Sequence, residues 1–346
     1  MKHRLLLLLL LCTAGSLHAQ SEADHVDVSL RVFSAAEPLA APGNANQLNP
    51  EAVREAELRY LPMQLRYYLE ASKRFGAVRV LPLADNGAEL AIEGRVLHSD
   101  PFRLELALTA RDSTGHIWLD KHYSANAVTS TSLGSNELLD DDFAELYRSV
   151  VRDLSAVLDS LSADELRMID LMALLRYGEG LAPQHFAGFI GNDSDGRFRA
   201  LRLPARDDPL LQRVEAIRER EFLFIDVVDE EYSRFFHDVK PVYTMWREFR
   251  REQADSASAR TQREQGQTSQ FARGSYYALQ ESYNNFRWAK LQELYLDELS
   301  EGFANETAPT EIDLEDSLYR LTGTMEQQYR EWRSILAELY ELETGG

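Results

Sequence analysis

The chain has 346 residues, 37 basic against 57 acidic side chains, and a formal net charge of -20. A surface of that sign repels nucleic acid and anionic lipid head groups, so neither is an expected partner. The single cysteine, Cys12, lies in the extreme N-terminal stretch, which leaves the rest of the chain without disulfides, a thiol nucleophile or Cys-ligated zinc.

That stretch has the parts of a secretory leader. Met1-Lys2-His3-Arg4 is basic, Leu5 to Leu11 is unbroken apolar, and Leu17-His18-Ala19 ends on a small residue. The apolar run is far short of the ~20 residues that span a bilayer, so it predicts cleavage near Ala19 and no stable membrane insertion. Leu9, Leu10 and Leu11 precede Cys12 where lipid attachment requires small residues, so an anchor at Cys12 is not expected. Loss of Lys2 and Arg4 with the leader moves the charge from -20 to -22. The expected location is the periplasm.

Residues 20–161 read as an α+β unit. Val26, Val28, Leu30 and Val32 alternate with polar residues, the period of a half-buried strand. Residues 34–48 read as loop. Asn49-Pro50-Glu51 starts a helix that runs to Phe75, with Pro62 expected to kink or interrupt it. Four strands follow, on residues 77–81, on Leu90, Ile92 and Val96, on Leu104, Leu106, Leu108 and Ala110, and on Ile117, Leu119 and Tyr123. Asp112-Ser113-Thr114-Gly115 turns between the last two. Asp140-Asp141-Asp142 then caps a helix whose stripe runs from Phe143 to Leu161. Strand, helix, a four-strand meander and helix predict a mainly antiparallel sheet with both helices on one face.

Residues 162–346 read as an all-α helical bundle. Ser162-Ala163-Asp164-Glu165 is a capping box, and that helix is expected to end at Gly178 and Gly180. Residues 182–206 read as irregular. Asp207-Asp208-Pro209 opens a long helix that Pro241 should break, and residues 254–270 read as a polar connection. A helix is expected over 275–303, and a last one from Pro309. In the last, Leu314, Leu318, Leu321, Met325, Trp332, Ile335, Leu339 and Leu342 keep heptad spacing with Gln328 as a polar lapse.

No catalytic, cofactor or metal residue is assigned. His-Glu-x-x-His, Gly-x-Ser-x-Gly, P-loop and Ser-x-x-Lys patterns are absent. His98, His116 and His122 read as the polar face of a half-buried sheet. Asn192-Asp193-Ser194-Asp195-Gly196 resembles a calcium loop, but the frame places Gly191 and Arg202 where carboxylates belong. Asp226, Asp229, Glu230 and Glu231 share one helix, without an opposing carboxylate for glycosidase chemistry. Phe235, Tyr243, Trp246, Tyr283 and Trp288 form a possible binding groove, with core packing as the alternative.

Three stretches carry a resemblance: Leu65 to Val80, ending a helix at Phe75-Gly76 and entering a strand; Ala88 to Val96; and the hairpin Leu108 to Asp120. With them, residues 26–161 resemble the periplasmic α+β domain of auxiliary lipoproteins of ABC-type lipid transport systems, and the amino-terminal domains of TolB-like and curli-secretion-like envelope proteins. The resemblance implies a non-enzymatic accessory or adaptor role in envelope assembly or transport, with another envelope protein as partner and no cofactor. The alternatives are a cell-wall glycan or peptide hydrolase using acids of the helical half, and a periplasmic small-ligand carrier.

Overall fold

The computed structural model of the chain describes residues 25–36, 50–128, 141–205, 208–266, 308–314 and 317–344, with residues 283, 286, 287 and 290. The leader and its cleavage site lie outside the described residues, as does the predicted helix over 275–303 apart from those four helical positions.

The protein is an α+β fold. Its first half contains β1 (Val28–Arg31), β2 (Ser34–Ala35), α1 (Pro50–Ser72), β3 (Val78–Leu81), β4 (Leu90–Ser99), β5 (Arg103–Asp112), β6 (Ile117–Asn126) and α2 (Ala144–Ser160). The sheet order is β3-β1-β4-β5-β6, with β2 continuing alongside β4. β1 is parallel to both β3 and β4, whereas β4, β5 and β6 are antiparallel. The expected four-strand meander is therefore a meander of three. A strand that returns through a helix pairs in parallel, and β1-α1-β3 is such a unit. β1, β4 and β5 place Val28, Leu30, Leu90, Ile92, Leu104, Leu106 and Leu108 on one face, and this face is buried. α1 and α2 pack together over it, with Tyr68 stacked on Tyr147 at 5.1 Å.

Two details depart from the simple alternation. Pro62 does not interrupt α1. The proline lacks the N–H that the Leu58 carbonyl would receive, and the Phe33 N–H fills that position at 2.9 Å. In β6 the register shifts beside Trp118, so Ile117 turns to solvent while Trp118 and Leu119 are both buried. The Trp118 indole donates to Asp112 at 2.8 Å.

The second half contains α3 (Ala163–Leu181), α4 (Pro183–Phe186), β7 (Ile190–Asn192), β8 (Phe198–Ala200), α5 (Pro209–Gly266), β9 (Thr310–Leu314), β10 (Ser317–Leu321) and α6 (Met325–Thr344). The capping box at Ser162 is formed. Gly178 does not end α3: it sits inside the helix, where a Cβ would come within 2.5 Å of the Phe186 ring. The expected all-α half carries two hairpins. One, β7–β8, replaces the irregular stretch, and Asp193 caps its turn by accepting the N–H groups of Asp195 and Arg197. The other, β9–β10, replaces the start of the last helix.

α5 runs unbroken through Pro241 for 58 residues, about 87 Å of helix, and also replaces the first part of the expected polar connection. Phe236, Val239 and Tyr243 are buried on both sides of the proline. α5 packs on β3, α1, α3 and α6, and the buried cluster runs without a gap from Val26 to Tyr340 across both halves.

The heptad seam is only part of the buried face of α6: Met325, Gln328 and Trp332 of the seam are buried, Ile335 and Leu339 are half-buried against the core, and the burial then follows Tyr329, Leu336 and Tyr340. That face is Met325, Gln328, Tyr329, Trp332, Leu336 and Tyr340, while Leu342 is 78% exposed. Gln328 is fully buried, and its amide donates to the carbonyls of Ala308 and Gly323 at 2.9 Å each. The helix starts at the reciprocal bonds of Thr324 and Gln327.

Gln328→Leu should lose about 1–3 kcal/mol in urea unfolding, because the two hydrogen bonds from the buried amide to the Ala308 and Gly323 carbonyls are lost. Leu342→Gln should change stability by no more than about 0.5 kcal/mol. The reverse order would restore the heptad assignment.

Candidate functional site

At one end of the sheet, β2, the end of β4 and the first turns of α1 enclose a cleft of about 260 Å³. Ala35, Leu58, Val96 and Leu97 form its apolar wall, and Glu57, His98 and Ser99 are its polar groups. Local structure brings them together. The Ala36 N–H donates to the Val96 carbonyl at 3.0 Å, and a register shift between Val96 and His98 bends the end of β4. His98 is held by Asp100 at 2.8 Å.

Glu57 is only 2% exposed. Its Oε1 accepts the Ser99 hydroxyl at 2.6 Å and the Tyr243 hydroxyl, and lies 3.8 Å from the Arg247 guanidinium. Arg247 is buried too, donates to the Tyr243 hydroxyl, and lies over the rings of Tyr243 and Phe143 at 4.3 and 4.4 Å. Burial opposes the charge on Arg247, but Tyr243, Asp141 and Glu57 outweigh it and hold the guanidinium above its usual range. Burial pushes the Asp141 carboxyl up. The adjacent Asp142 pairs with Arg251 of α5. The Arg247 Nε and the Tyr147 hydroxyl are buried without a hydrogen-bond partner.

The same geometry recurs at the other end of α5. Glu221 accepts the Tyr329 hydroxyl at 2.7 Å and lies 3.2 Å from the Arg333 Nε. Arg333 sits over the Tyr329 ring at 5.3 Å and reaches the Ala84 carbonyl at 3.3 Å. In both places a Tyr and an Arg four residues apart on one helix grip a buried Glu on another. Burial pushes the Glu221 carboxyl up, against the pull of Arg333.

A third ionisable cluster joins the sheet to α3 and α5. The Glu89 carboxylate accepts the Asp27 N–H at 2.9 Å, and Arg218 donates to the Gly87 carbonyl at 2.7 Å. Burial pushes the Glu89 carboxyl up to about 7 from an ordinary 4.5. The Asp27 N–H pulls it back, the Asp27 and Asp170 charges add to the rise, and Arg218 opposes them.

Of the residues proposed from sequence for a groove, Phe235 and Tyr243 are buried in the core, and Trp246 is half-buried with its ring stacked on Tyr243 at 6.0 Å. Tyr283 is exposed, and Trp288 lies outside the described residues. Among the α5 acids, Asp229 pairs with Arg66, and Glu230 and Glu231 pair with Arg234. His122 is exposed opposite Ala107, and His116 lies 3.8 Å from Asp112. Among the described residues no three His, Cys, Asp or Glu side chains converge as a metal site. Sequence reading missed Glu57, Arg247, Glu221 and Arg333. The available signal was the Tyr-x-x-x-Arg spacing, shared by Tyr243 with Arg247 and Tyr329 with Arg333.

No protein-family model matches the chain, and no curated protein matches it. Among solved structures, a dodecamer of PelC from Paraburkholderia phytofirmans is similar at 15% identity and a TM-score of 0.26, over 38% of this chain and 90% of that one. A likeness at that level bears on neither fold nor function.

Two predictions follow from the polar clusters. Tyr243→Phe keeps the ring and removes the hydroxyl between Glu57 and Arg247, and should lose about 1–3 kcal/mol in urea unfolding. Tyr147→Phe, which removes an unpartnered hydroxyl, should be neutral or stabilising; equal losses in the two variants would contradict the assignment. For Glu89, a folded value above the unfolded one means the protonated form favours folding. That stabilisation is complete below about pH 4.5 and is lost as the pH rises through about 7. Relative to the parent, Glu89→Gln should therefore gain on the order of 1–3 kcal/mol between about pH 5 and pH 8. An unchanged difference across that range would remove the burial account.

Proposed function

We propose that the protein is a periplasmic, non-enzymatic accessory factor that works through contact with another envelope protein. The leader over residues 1–19 supports the compartment. Among the described residues no helix is long and apolar enough to cross a membrane.

The observation that carries the contact reading is how the charged groups at the cleft are used. Among the described residues the lining holds one carboxylate, Glu57, and it is already bound by Ser99, Tyr243 and Arg247. Its histidine, His98, is bound to Asp100. A hydrolase built on paired carboxylates needs two that face each other across an open cleft. Asp229, Glu230 and Glu231 instead serve as ion-pair partners of arginines. Two surfaces suit a protein partner. One is the cleft. The other is the edge of β6, which pairs only with β5 among the described strands and offers a ladder for strand addition.

The test is fractionation of the native protein followed by N-terminal sequencing. The expected result is recovery in the periplasmic extract with a new N-terminus near Gln20. Recovery from the cytosol with Met1 in place would overturn the proposal.

A further inference from the structure

We propose that residues 84–89 form a pH-sensitive joint between the two halves of the chain: a proton on Glu89 keeps α3 docked on the sheet, and its loss frees α3 to open. The inference goes beyond the contact reading above and stands or falls independently of it.

Three features carry it. The first is position. The short segment ahead of β4 is where the helices of the second half hold the sheet. Arg333 of α6 reaches the Ala84 carbonyl at 3.3 Å and Asp85 at 3.8 Å, and Arg218 of α5 donates to the Gly87 carbonyl at 2.7 Å. Tyr177 of α3 packs on Gly87 so closely that a Cβ there would come within 2.9 Å of it. The Glu89 carbonyl accepts the Ser113 N–H at 2.9 Å, and the Ser113 hydroxyl donates to the Ile169 carbonyl of α3. The second is charge. Three carboxylates share the joint: Asp27 beside β1, Glu89, and Asp170 of α3. The basic groups around them are engaged. Arg79 of β3 pairs with Asp27 at 3.3 Å, Arg111 of β5 donates to the Gly115 carbonyl at 2.9 Å, and Arg176 of α3 donates to the Ser113 carbonyl at 3.2 Å. Arg218 pulls against the three carboxylates while bound to Gly87. Among the described residues no basic side chain forms an ion pair with Glu89, whose carboxylate accepts the Asp27 N–H at 2.9 Å. The third is the cost of ionisation. A half-buried carboxylate without a counter-ion, beside two others, favours its protonated form, and burial accordingly pushes Glu89 up to about 7. Losing that proton adds a negative charge between Asp27 on the sheet and Asp170 on α3, and repulsion there favours separation of the two.

The test is native-state hydrogen exchange on the full-length protein between about pH 5 and pH 8, corrected for the intrinsic exchange rate. It reads the opening of α3 against the most protected amides of β5. Amides from Ile169 to Tyr177 should exchange through an opening of their own, more frequent than that of β5. The population of that opening should rise about tenfold or more across the range, because the open form binds the Glu89 proton more weakly. Glu89→Gln, with no proton to lose, should hold the opening constant to within about threefold. In the parent the rise should level off at the pH where the Glu89 carboxyl titrates by carbon-13 NMR. Asp170→Asn removes one of the facing charges and should move that pH down.

If Glu89→Gln fails to fold, Asp170→Asn and the carboxyl titration decide the matter. An α3 that exchanges only together with β5, an opening unchanged by pH, the same pH response in Glu89→Gln, or an unmoved titration in Asp170→Asn would each overturn the joint. That failure would leave the compartment and contact readings as they stand.

Discussion

The arrangement depends on a buried carboxylate gripped by a tyrosine and an arginine from one helical turn, used twice along α5. Glu57 of α1 meets Tyr243 and Arg247 of α5, and Glu221 of α5 meets Tyr329 and Arg333 of α6. Each charge would be strongly destabilising if buried alone, and removing one partner of such a pair typically destabilises by about 3–5 kcal/mol. Few placements of the helices satisfy all three groups, so the clusters fix α5 along its length against α1 at one end and α6 at the other. Aromatic contacts between them add apolar packing: Tyr60 on Phe236 at 4.8 Å, and Phe224 on Tyr329 at 5.5 Å.

That placement connects fold to site. α5 lies along β3 and α1, and the first turns of α1 carry Glu57 to the cleft beside β2 and β4. The floor of the cleft is therefore set by a helix from the other half of the chain. The β5–β6 turn makes a second connection. Its Thr114 carbonyl accepts the Phe198 N–H at 2.8 Å, and its Ser113 carbonyl accepts Arg176 at 3.2 Å. Gly115, with φ of 85°, allows the turn to sit against Phe198.

Much of the first half was legible because strand and helix periods are local. The alternation on β4 and β5, the turn at Gly115 and the stripe of α2 all follow from spacing. Sheet order was not legible, since periodicity carries no partner information; only the strand-helix-strand order pointed to parallel pairing. Three punctuation signals, one in the first half and two in the second, misled for physical reasons. Pro62 and Pro241 lie in helices held by buried residues on either side, and Gly178 makes room for the Phe186 ring. The heptad from Leu314 competed with a period of two over Thr310, Ile312 and Leu314, and the strand won because β10 supplies its ladder. The cleft was invisible in sequence because its residues come from three separated segments.

Native-state hydrogen exchange on Arg247→Met, compared with the parent, tests most directly whether these clusters hold the whole molecule together. The account predicts that the most protected amides of β5 and of α6 lose the same free energy, about 3–5 kcal/mol, because one core runs from the sheet through α5 to the last helix. A loss confined to α5 and α6, with β5 as protected as before, would contradict it.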